Sequence, residues 1–317
     1  MINSSAMNSW ALRGIIPPVI TPLRGDDLLD EAGLEKLIEY LLAGGVSGLF
    51  VSGTTGEGPA LSYHTRRAMI RRTAALVAGR VPVLAGLLDS AYPEMIALAR
   101  YAAEVGADAV VGAPPCYFPL SQDDIFEFTQ RLAAESPLPV LLYNTPHSSV
   151  RFELDTLERI ADLPGIHGLK DSNGDPKYLE QLLRWKRTRA DFSVYVGPEE
   201  FLASALRSGA DGGVSGGANL FPKLYANWYK ACAQDDTARI EALSKQVQQV
   251  WASIYTVGDS HSSIVRGLKC GLSLLGICDD HLATPYCPAT RDERSRVREF
   301  VERFLQENGE PCPSIKQ

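Results

Sequence analysis

Gly165-Ile166-His167-Gly168-Leu169-Lys170-Asp171-Ser172 is a short apolar run that ends abruptly in a lysine. It predicts a buried β-strand, and the Ser-Asn-Gly-Asp that begins at Ser172 predicts a turn. The chain has nine lysines, and only Lys170 lies at the end of a predicted buried strand. A lysine in apolar surroundings is less stabilised as a cation, so some free amine is available to attack a ketone. Most such lysines extend to solvent instead, so the other strand ends must decide between these interpretations.

Strand-like and helix-like segments alternate on both sides of this stretch. The predicted strands are continuous apolar runs, which is typical of a parallel sheet buried on both faces. They are residues 14–21, 48–51, 81–85, 109–111, 139–143, 166–170, 192–196 and 212–215. The helices that follow them are residues 31–43, 62–78, 90–104, 122–134, 154–161, 176–187, 199–208 and 222–234. Eight such units predict an α/β fold, the (β/α)8 TIM barrel.

A doubly wound open sheet is the alternative architecture. It needs fewer units and usually carries a phosphate-binding glycine fingerprint after its first strand. Here the first strand is followed by Thr21-Pro22-Leu23-Arg24-Gly25-Asp26, which has no such fingerprint. The barrel is therefore the predicted fold.

The predicted catalytic barrel spans residues 12–234. Residues 237–256, 262–275 and 291–306 predict three more helices, so residues 235–307 are interpreted as a C-terminal helical extension packed on the barrel. Residues 1–11 and 308–317 are expected to be flexible ends. The glycine-rich stretch 212–217 has two interpretations, which are close approach to a ligand and a tight barrel corner.

Composition and charge exclude several classes of protein. The chain has 317 residues, of which 45% are hydrophobic and 22% charged, as in ordinary soluble globular proteins. Its net charge of −7 argues against a nucleic acid or an anionic membrane as the main partner. The six cysteines show no C-x-x-C pair and no zinc-ligand spacing, so we expect reduced thiols and no metal site. The N-terminus lacks an apolar signal region, and no run of about 18 apolar residues could span a bilayer, which predicts a cytoplasmic protein.

Polar side chains follow several of the predicted strands. In a barrel of this kind the C-terminal strand ends share one face, where active sites are built. Strand two ends in Gly53-Thr54-Thr55-Gly56-Glu57, whose hydroxyls and N–H groups form either a carboxylate cradle or a locally bonded turn. Strands five and six are neighbours, so Tyr143 should lie beside Lys170 and could move protons there. The other interpretations are a core tyrosine at Tyr143 and plain packing at Tyr117, after strand four.

Three motifs together resemble a known family. Gly53-Thr54-Thr55-Gly56-Glu57, Tyr143-Asn144-Thr145-Pro146 and Gly168-Leu169-Lys170-Asp171 are similar in order and spacing to the dihydrodipicolinate synthase / N-acetylneuraminate lyase family. The resemblance covers about residues 12–305. It implies a barrel with a C-terminal helical extension, class I aldolase chemistry on pyruvate or a related 2-oxo acid, and a homotetramer built as a dimer of dimers. It also implies that no metal or organic cofactor is needed, because the imine formed with Lys170 serves as the electron sink.

The resemblance implies a role for each matching residue. Lys170 corresponds to the Schiff-base lysine and Tyr143 to the proton-shuttling tyrosine. Thr55 corresponds to the residue that holds the 2-oxo acid carboxylate, and Thr54 to the one that enters a proton relay. Tyr117 corresponds to a relay tyrosine that a neighbouring subunit supplies in the synthase branch. The implied substrate-binding residues beside Thr55 are Gly53, Val214 through its backbone carbonyl, Ser172 and Glu200.

The motifs identify the second substrate less closely than they identify the 2-oxo acid. The synthase branch has an arginine two residues after the proline of the tyrosine motif, and this chain has Ser148 there, with Arg151 three residues on. A serine cannot replace a bidentate guanidinium, which disfavours aspartate semialdehyde. The lyase branch usually has Ser-Thr where this chain has Thr54-Thr55, which disfavours N-acetylneuraminate. Glu199 and Glu200 align with residues that bind substrate hydroxyls, although acidic residues in a first helical turn also favour the helix dipole.

These observations predict a Schiff-base-forming aldolase. Its substrate is expected to be a 4-hydroxy-2-oxo acid such as a 2-keto-3-deoxy sugar acid, which is cleaved to pyruvate and an aldehyde, or formed from them. The alternatives are a dihydrodipicolinate synthase, which condenses pyruvate with aspartate semialdehyde, and a dehydratase that uses the same imine. A non-catalytic sensor or scaffold that binds a 2-oxo acid is the alternative from another class.

Overall fold

Eight parallel strands and eight helices alternate in this protein, for which a computed structural model describes residues 12–148, 150–260 and 262–309. The strands are β1 (Gly14–Ile15), β2 (Leu49–Val51), β3 (Val83–Leu87), β4 (Ala109–Gly112), β5 (Val140–Asn144), β6 (Ile166–Asp171), β7 (Ser193–Val196) and β8 (Gly212–Gly213). The helices are α1 (Glu31–Ala43), α2 (Tyr63–Val77), α3 (Tyr92–Glu104), α4 (Gln122–Glu135), α5 (Leu154–Ala161), α6 (Pro176–Lys186), α7 (Leu202–Arg207) and α8 (Pro222–Ala233). The predicted (β/α)8 TIM barrel is confirmed.

The strand order shows how the barrel closes. The strands bond in the order β2 to β8 and then β1, with Gly14 paired to Gly212. Pro18 forms a parallel bridge with Phe50 of β2, so the chain after β1 completes the ring. The first strand is shorter than predicted because Pro17 and Pro18 have no N–H to donate to a ladder.

Apolar side chains fill the barrel from inside and cover it from outside. The inner cluster contains the following buried residues: Leu12, Ile16, Phe50, Leu84, Ala109, Val111, Ala113, Leu141, Tyr143, Tyr195 and Val214. A larger cluster lies between the strands and the surrounding helices. Side chains alternate between these two layers along each strand, which is why continuous apolar runs are needed. Tyr143 therefore belongs to the interior of the barrel.

Local capping agrees with the sequence at two helix starts. The Ser62 hydroxyl accepts a hydrogen bond from the Thr65 N–H at the start of α2. Ser121 and Asp124 form a reciprocal capping box at the start of α4. Such caps satisfy N–H groups that have no partner within the helix, and each stabilises the protein by about 1 kcal/mol.

Three further helices follow the barrel. They are α9 (Thr237–Val250), α10 (Ser263–Leu274) and α11 (Arg291–Glu307), and a π-helical turn, Trp251–Tyr255, continues α9. The ring of Phe221, before α8, packs against Phe304 of α11 with centroids 4.4 Å apart. The domain limits stay a prediction. Of the predicted flexible ends, residues 1–11 and 310–317 lie outside the described residues. Among those described, no helix is long and apolar enough to cross a membrane.

Candidate active site

Lys170 and Tyr143 lie side by side at the ends of β6 and β5. The two residues are direct partners in the parallel pairing of these strands. Lys170 is 4% exposed, and its Nζ lies 3.9 Å from the centroid of the Tyr143 ring and 5.1 Å from that of Phe50. Among the described residues no carboxylate forms an ion pair with Lys170. Its amine is therefore held against aromatic rings in the barrel mouth and not extended to solvent.

The Tyr143 hydroxyl lies 3.4 Å from Thr54 Oγ1, within hydrogen-bonding distance. Burial alone would raise the pKa of Tyr143, but the charge of Lys170 and the nearby hydroxyls of Thr54, Thr145 and Ser172 lower it below its ordinary value. A phenol of lowered pKa gives up its proton more readily, which suits a proton shuttle.

The loop after β2 brings the two threonines to this site. Ser52 and Glu57, on either side of the two threonines, adopt left-handed backbone conformations, with φ of 56° and 58°. Among the described residues, the N–H groups of Thr54, Thr55 and Gly56 have no backbone acceptor. These donors and the partly buried threonine hydroxyls form the kind of cradle that a carboxylate requires.

Gly53 is required by packing. A Cβ on Gly53 would lie 2.6 Å from the Phe50 ring, so a larger residue would displace the ring beside Lys170. The other glycine-rich stretch is also explained by close packing. A Cβ on Gly212 would lie 2.1 Å from the Gly14 backbone, and one on Gly217 would lie 2.0 Å from the Tyr225 hydroxyl. The tight-corner interpretation of residues 212–217 accounts for both contacts.

Val214 and Ser172 lie at the same end of the barrel. Val214 is buried in the inner cluster with Tyr143, and its N–H donates to the Val196 carbonyl at 2.9 Å. The Ser172 N–H donates to the Asn144 carbonyl, also at 2.9 Å, which holds Ser172 where its hydroxyl reaches Tyr143. Ser172 thus contacts a residue of the reaction centre.

Two predicted site residues lie away from this cluster. Tyr117 is 78% exposed and packs edge-on against Phe118, and among the described residues no hydrogen bond joins it to Thr54 or Tyr143. Glu200 is exposed and lines a different cavity, beside α8 and α9. Glu200 does not line the cavity beside Lys170, and its contact with substrate stays a prediction. Its neighbour Glu199 is buried and hydrogen-bonded to two tyrosines.

Sequence reasoning missed two residues that support the site. Thr145 belongs to the tyrosine motif but was assigned no role. Its place two residues after Tyr143 was the available signal, because it puts both side chains on one side of an extended chain. Asp171 is 1% exposed and accepts a hydrogen bond of 2.7 Å from the Asn144 amide. Burial raises the pKa of Asp171 to about 6. The bond joins the residues that follow Tyr143 and Lys170, and it thereby fixes the two strand ends together.

A cavity of about 510 Å³ adjoins the cluster through Thr54 and Thr145, whereas Lys170 and Tyr143 are not among its lining residues. Thr54, which lies within hydrogen-bonding distance of Tyr143, is part of its wall, and so is Ser148. Arg66 and Asp89 also line the cavity, and their charges are paired at 2.9 Å. The remaining lining residues are Pro59, Leu88, Ser90, Ala113, Pro114, Cys116, His147 and Tyr286. In the described part of the chain, no group of three His, Cys, Asp or Glu side chains could hold a metal ion.

Comparison with known proteins gives a consistent result. The model of the dihydrodipicolinate synthetase family matches residues 11–304. The 4-hydroxy-tetrahydrodipicolinate synthase of Gluconacetobacter diazotrophicus is 30% identical, with 93% of this chain and 98% of the relative covered. The N-acetylneuraminate lyase of Citrobacter koseri is 29% identical, with 94% of this chain and 99% of the relative covered. An Escherichia coli protein named "Probable 2-dehydro-3-deoxy-D-pentonate aldolase YjhH" is 30% identical over 90% and 94%.

Solved structures are similar over the same length. A dihydrodipicolinate synthase from Bacteroides thetaiotaomicron superposes with a TM-score of 0.90 at 47% identity, covering 92% of this chain and 98% of that one. YagE, an Escherichia coli prophage protein of the same family solved with pyruvate, gives 0.87 at 29% identity, covering 92% and 98%. The names of the relatives in this family thus give different activities, namely a synthase, a lyase and a probable aldolase.

Proposed function

Because this chain belongs to the dihydrodipicolinate synthetase family, whose members are class I lyases, we propose that it is an aldolase for a 4-hydroxy-2-oxo acid, with pyruvate as the 2-oxo acid partner. A 2-keto-3-deoxy sugar acid is the proposed substrate class. The observation that carries the proposal is the position of Lys170 Nζ, 3.9 Å from the Tyr143 ring. YagE, a similar protein, has been solved in complex with pyruvate.

The reaction begins at the Lys170 amine. The neutral amine adds to the C2 carbonyl, and loss of water leaves a protonated imine. The hydroxyls of Thr54, Thr145 and Ser172 around Tyr143 give routes by which the protons of this step can move. The 2-oxo acid carboxylate is proposed to bind at the hydroxyl of Thr55 and at the backbone N–H groups of the loop that contains Thr54 and Thr55.

Cleavage follows from the imine. Tyr143, as phenolate, removes the proton from the C4 hydroxyl, and the C3–C4 electrons move into the imine to give an enamine. The new C4=O group leaves as an aldehyde. Protonation of the enamine at C3 and addition of water to the imine then release pyruvate and free Lys170. We propose that these steps use no metal or organic cofactor, because the imine accepts the electron pair that the C3–C4 bond releases.

The cavity wall favours a hydroxylated aldehyde. Ser148 stands where the synthase branch has its arginine, and its Oγ is buried with no partner among the described residues. A buried hydroxyl without a partner is costly, and a substrate hydroxyl at this wall would satisfy it. Arg151 does not substitute for the missing arginine, because it pairs with Asp175 at 2.9 Å and lies over the Tyr178 ring. Synthase or dehydratase activity through the same imine is the second candidate, supported by the synthases among the relatives.

The proposed assembly is a homotetramer in the cytoplasm. The exposed ring pair of Tyr117 and Phe118, 78% and 71% exposed, supports a contact between subunits at this edge of the cavity. In that assembly Tyr117 is part of the proton relay in the active site of the neighbouring subunit.

The experiment is a coupled pyruvate-release assay over a panel of 2-keto-3-deoxy sugar acids and N-acetylneuraminate, run beside condensation with aspartate semialdehyde. Release from a sugar acid that disappears in Lys170→Ala supports the proposal and identifies the aldehyde. Borohydride with pyruvate should add a pyruvate-derived mass to the wild-type chain only. Condensation with aspartate semialdehyde, without release from any sugar acid, would overturn the substrate assignment and retain the imine chemistry.

A further inference from the structure

A second cavity, of about 450 Å³, lies outside the barrel between α8, α9 and the turn before α7. It shares no lining residue with the cavity that adjoins the Lys170–Tyr143 cluster. The residues that give it chemical character are Glu199, Glu200, Trp228, Ser244, Gln248 and Trp251. None of its lining residues is a lysine or an arginine. Its volume is within the range of small-molecule sites.

Glu199 is a buried carboxyl group with no cationic partner. It is 4% exposed, and it accepts hydrogen bonds from the hydroxyls of Tyr225 and Tyr255, each at 2.5 Å, and from the Gly217 N–H at 3.0 Å. No cation among the described residues forms an ion pair with it. Burial raises the pKa of Glu199, while these three donors oppose that change and Glu200 adds to it. Glu199 thus gives this wall a polar carboxyl group without a positive counter-charge, and the exposed carboxylate of Glu200 beside it is in no ion pair among the described residues either.

Two tryptophans form another part of the cavity wall. Trp228 is 3% exposed, and its indole N–H donates to the Ser244 hydroxyl at 3.1 Å, which fixes the ring in place. Trp251 begins the π-helical turn that ends at Tyr255, and it is 52% exposed at the cavity edge. Indole is the ring that attracts cations most strongly, and at Trp251 it is accessible from solvent.

We propose that this cavity binds a small organic ammonium ion between the two tryptophans and the Glu199–Glu200 carboxyl groups. An ammonium with alkyl substituents fits the site because its methyl groups can contact indole while its charge faces the carboxyl groups. A metal ion fits poorly, since the Glu199 oxygens are already occupied by hydrogen-bond donors. An anion is disfavoured by both glutamates. This site is separate from the aldolase chemistry and does not depend on it.

Choline is a suitable probe, and 3,3-dimethylbutan-1-ol is its uncharged analogue of the same shape. Binding to the full chain is followed by saturation transfer from protein to ligand methyl protons in NMR, with sodium chloride used to hold ionic strength constant. We expect saturable choline binding with a dissociation constant of about 1 mM, as for a few cation–π and ion-pair contacts. The uncharged analogue should bind at least about fivefold more weakly.

Variants test the location. Trp251→Leu keeps an apolar side chain without a ring, and Glu200→Gln keeps the shape without the charge. Each should weaken choline binding by about fivefold, whereas Glu302→Gln, an exposed change on α11, should leave it unchanged. Equal binding of choline and its uncharged analogue, or unchanged choline binding in both cavity variants, would overturn the proposal. So would the absence of saturable binding by a wild-type protein that unfolds cooperatively.

Discussion

The Lys170 amine and the Tyr143 ring are 3.9 Å apart because the two residues are direct partners across parallel strands β5 and β6. Their relative position is set by backbone pairing, and the bond between Asn144 and Asp171 holds the next pair of residues in the same register. The reactive amine and its proton shuttle are therefore positioned by rigid elements, which is what accurate catalysis requires.

Lys170→Ala should abolish borohydride trapping of pyruvate, and Tyr143→Phe should retain trapping while lowering kcat by about 10²–10⁴-fold, the usual contribution of a positioned acid–base group. Tyr195→Phe is the matched control, since its hydroxyl bonds the Leu12 carbonyl elsewhere in the barrel interior. Full turnover by Lys170→Ala would contradict the mechanism.

A change at Thr54 should shift the acid limb of the pH profile of kcat, which is the range at low pH where kcat rises with pH. Because the base form of Tyr143 is the phenolate, kcat should rise with pH through the pKa of this residue, which the site lowers from 10.0. Thr54→Val removes one of the hydrogen bonds that lower that pKa, so the limb should move to higher pH. Thr55→Val should instead raise KM without moving the limb. An unmoved limb in Thr54→Val would show that another group sets it.

Ser148→Arg should change the preferred aldehyde. A guanidinium at this wall of the cavity can bind a carboxylate through two hydrogen bonds, which are worth about 1.5–3 kcal/mol. We expect kcat/KM for condensation with aspartate semialdehyde to rise about 10- to 100-fold, while cleavage of the sugar acid falls. Ser148→Lys is the control, because it adds charge without the planar fork. An equal gain with lysine would indicate simple charge attraction.

The buried pair of Glu57 and Lys269 should carry much of the stability of the threonine loop. Both side chains are 0% exposed and form an ion pair, with Glu57 also accepting the Ala283 N–H at 2.8 Å and Lys269 donating to the His281 carbonyl at 2.6 Å. Lys269→Met alone should reduce the free energy of unfolding by about 3–5 kcal/mol, because it leaves a buried charge unpaired.

The double variant Glu57→Gln with Lys269→Met removes both charges and should recover most of that loss, as urea denaturation would measure. If it folds well but turns over slowly, the ion pair also positions Thr54 and Thr55. Strictly additive losses in the double variant would show that the two residues do not interact.

Asp171 should make the protein less stable as pH rises from about 4 to 6. Its folded pKa of about 6 exceeds the ordinary 3.8, so in this range the folded state binds more protons than the unfolded state. The difference corresponds to about 3 kcal/mol. Asp171→Asn lacks this dependence, so relative to wild type it should become more stable between pH 4 and pH 7 by up to that amount. Urea denaturation at both pH values, with Glu302→Gln as control, measures it, and a constant difference would refute it.

The sequence alone determined the alternation of eight apolar strands with eight helices, and therefore the barrel, because burial on two faces requires continuous apolar runs. It also placed Lys170, Tyr143, Thr54 and Thr55 at strand ends, which the barrel topology brings to one face. The tertiary structure decided contacts between segments remote in the chain, such as that of Glu57 with Lys269. It also decided that Glu200 lines the cavity beside α8 and α9 and not the one beside Lys170, because the residues of that cavity come together only when remote segments pack.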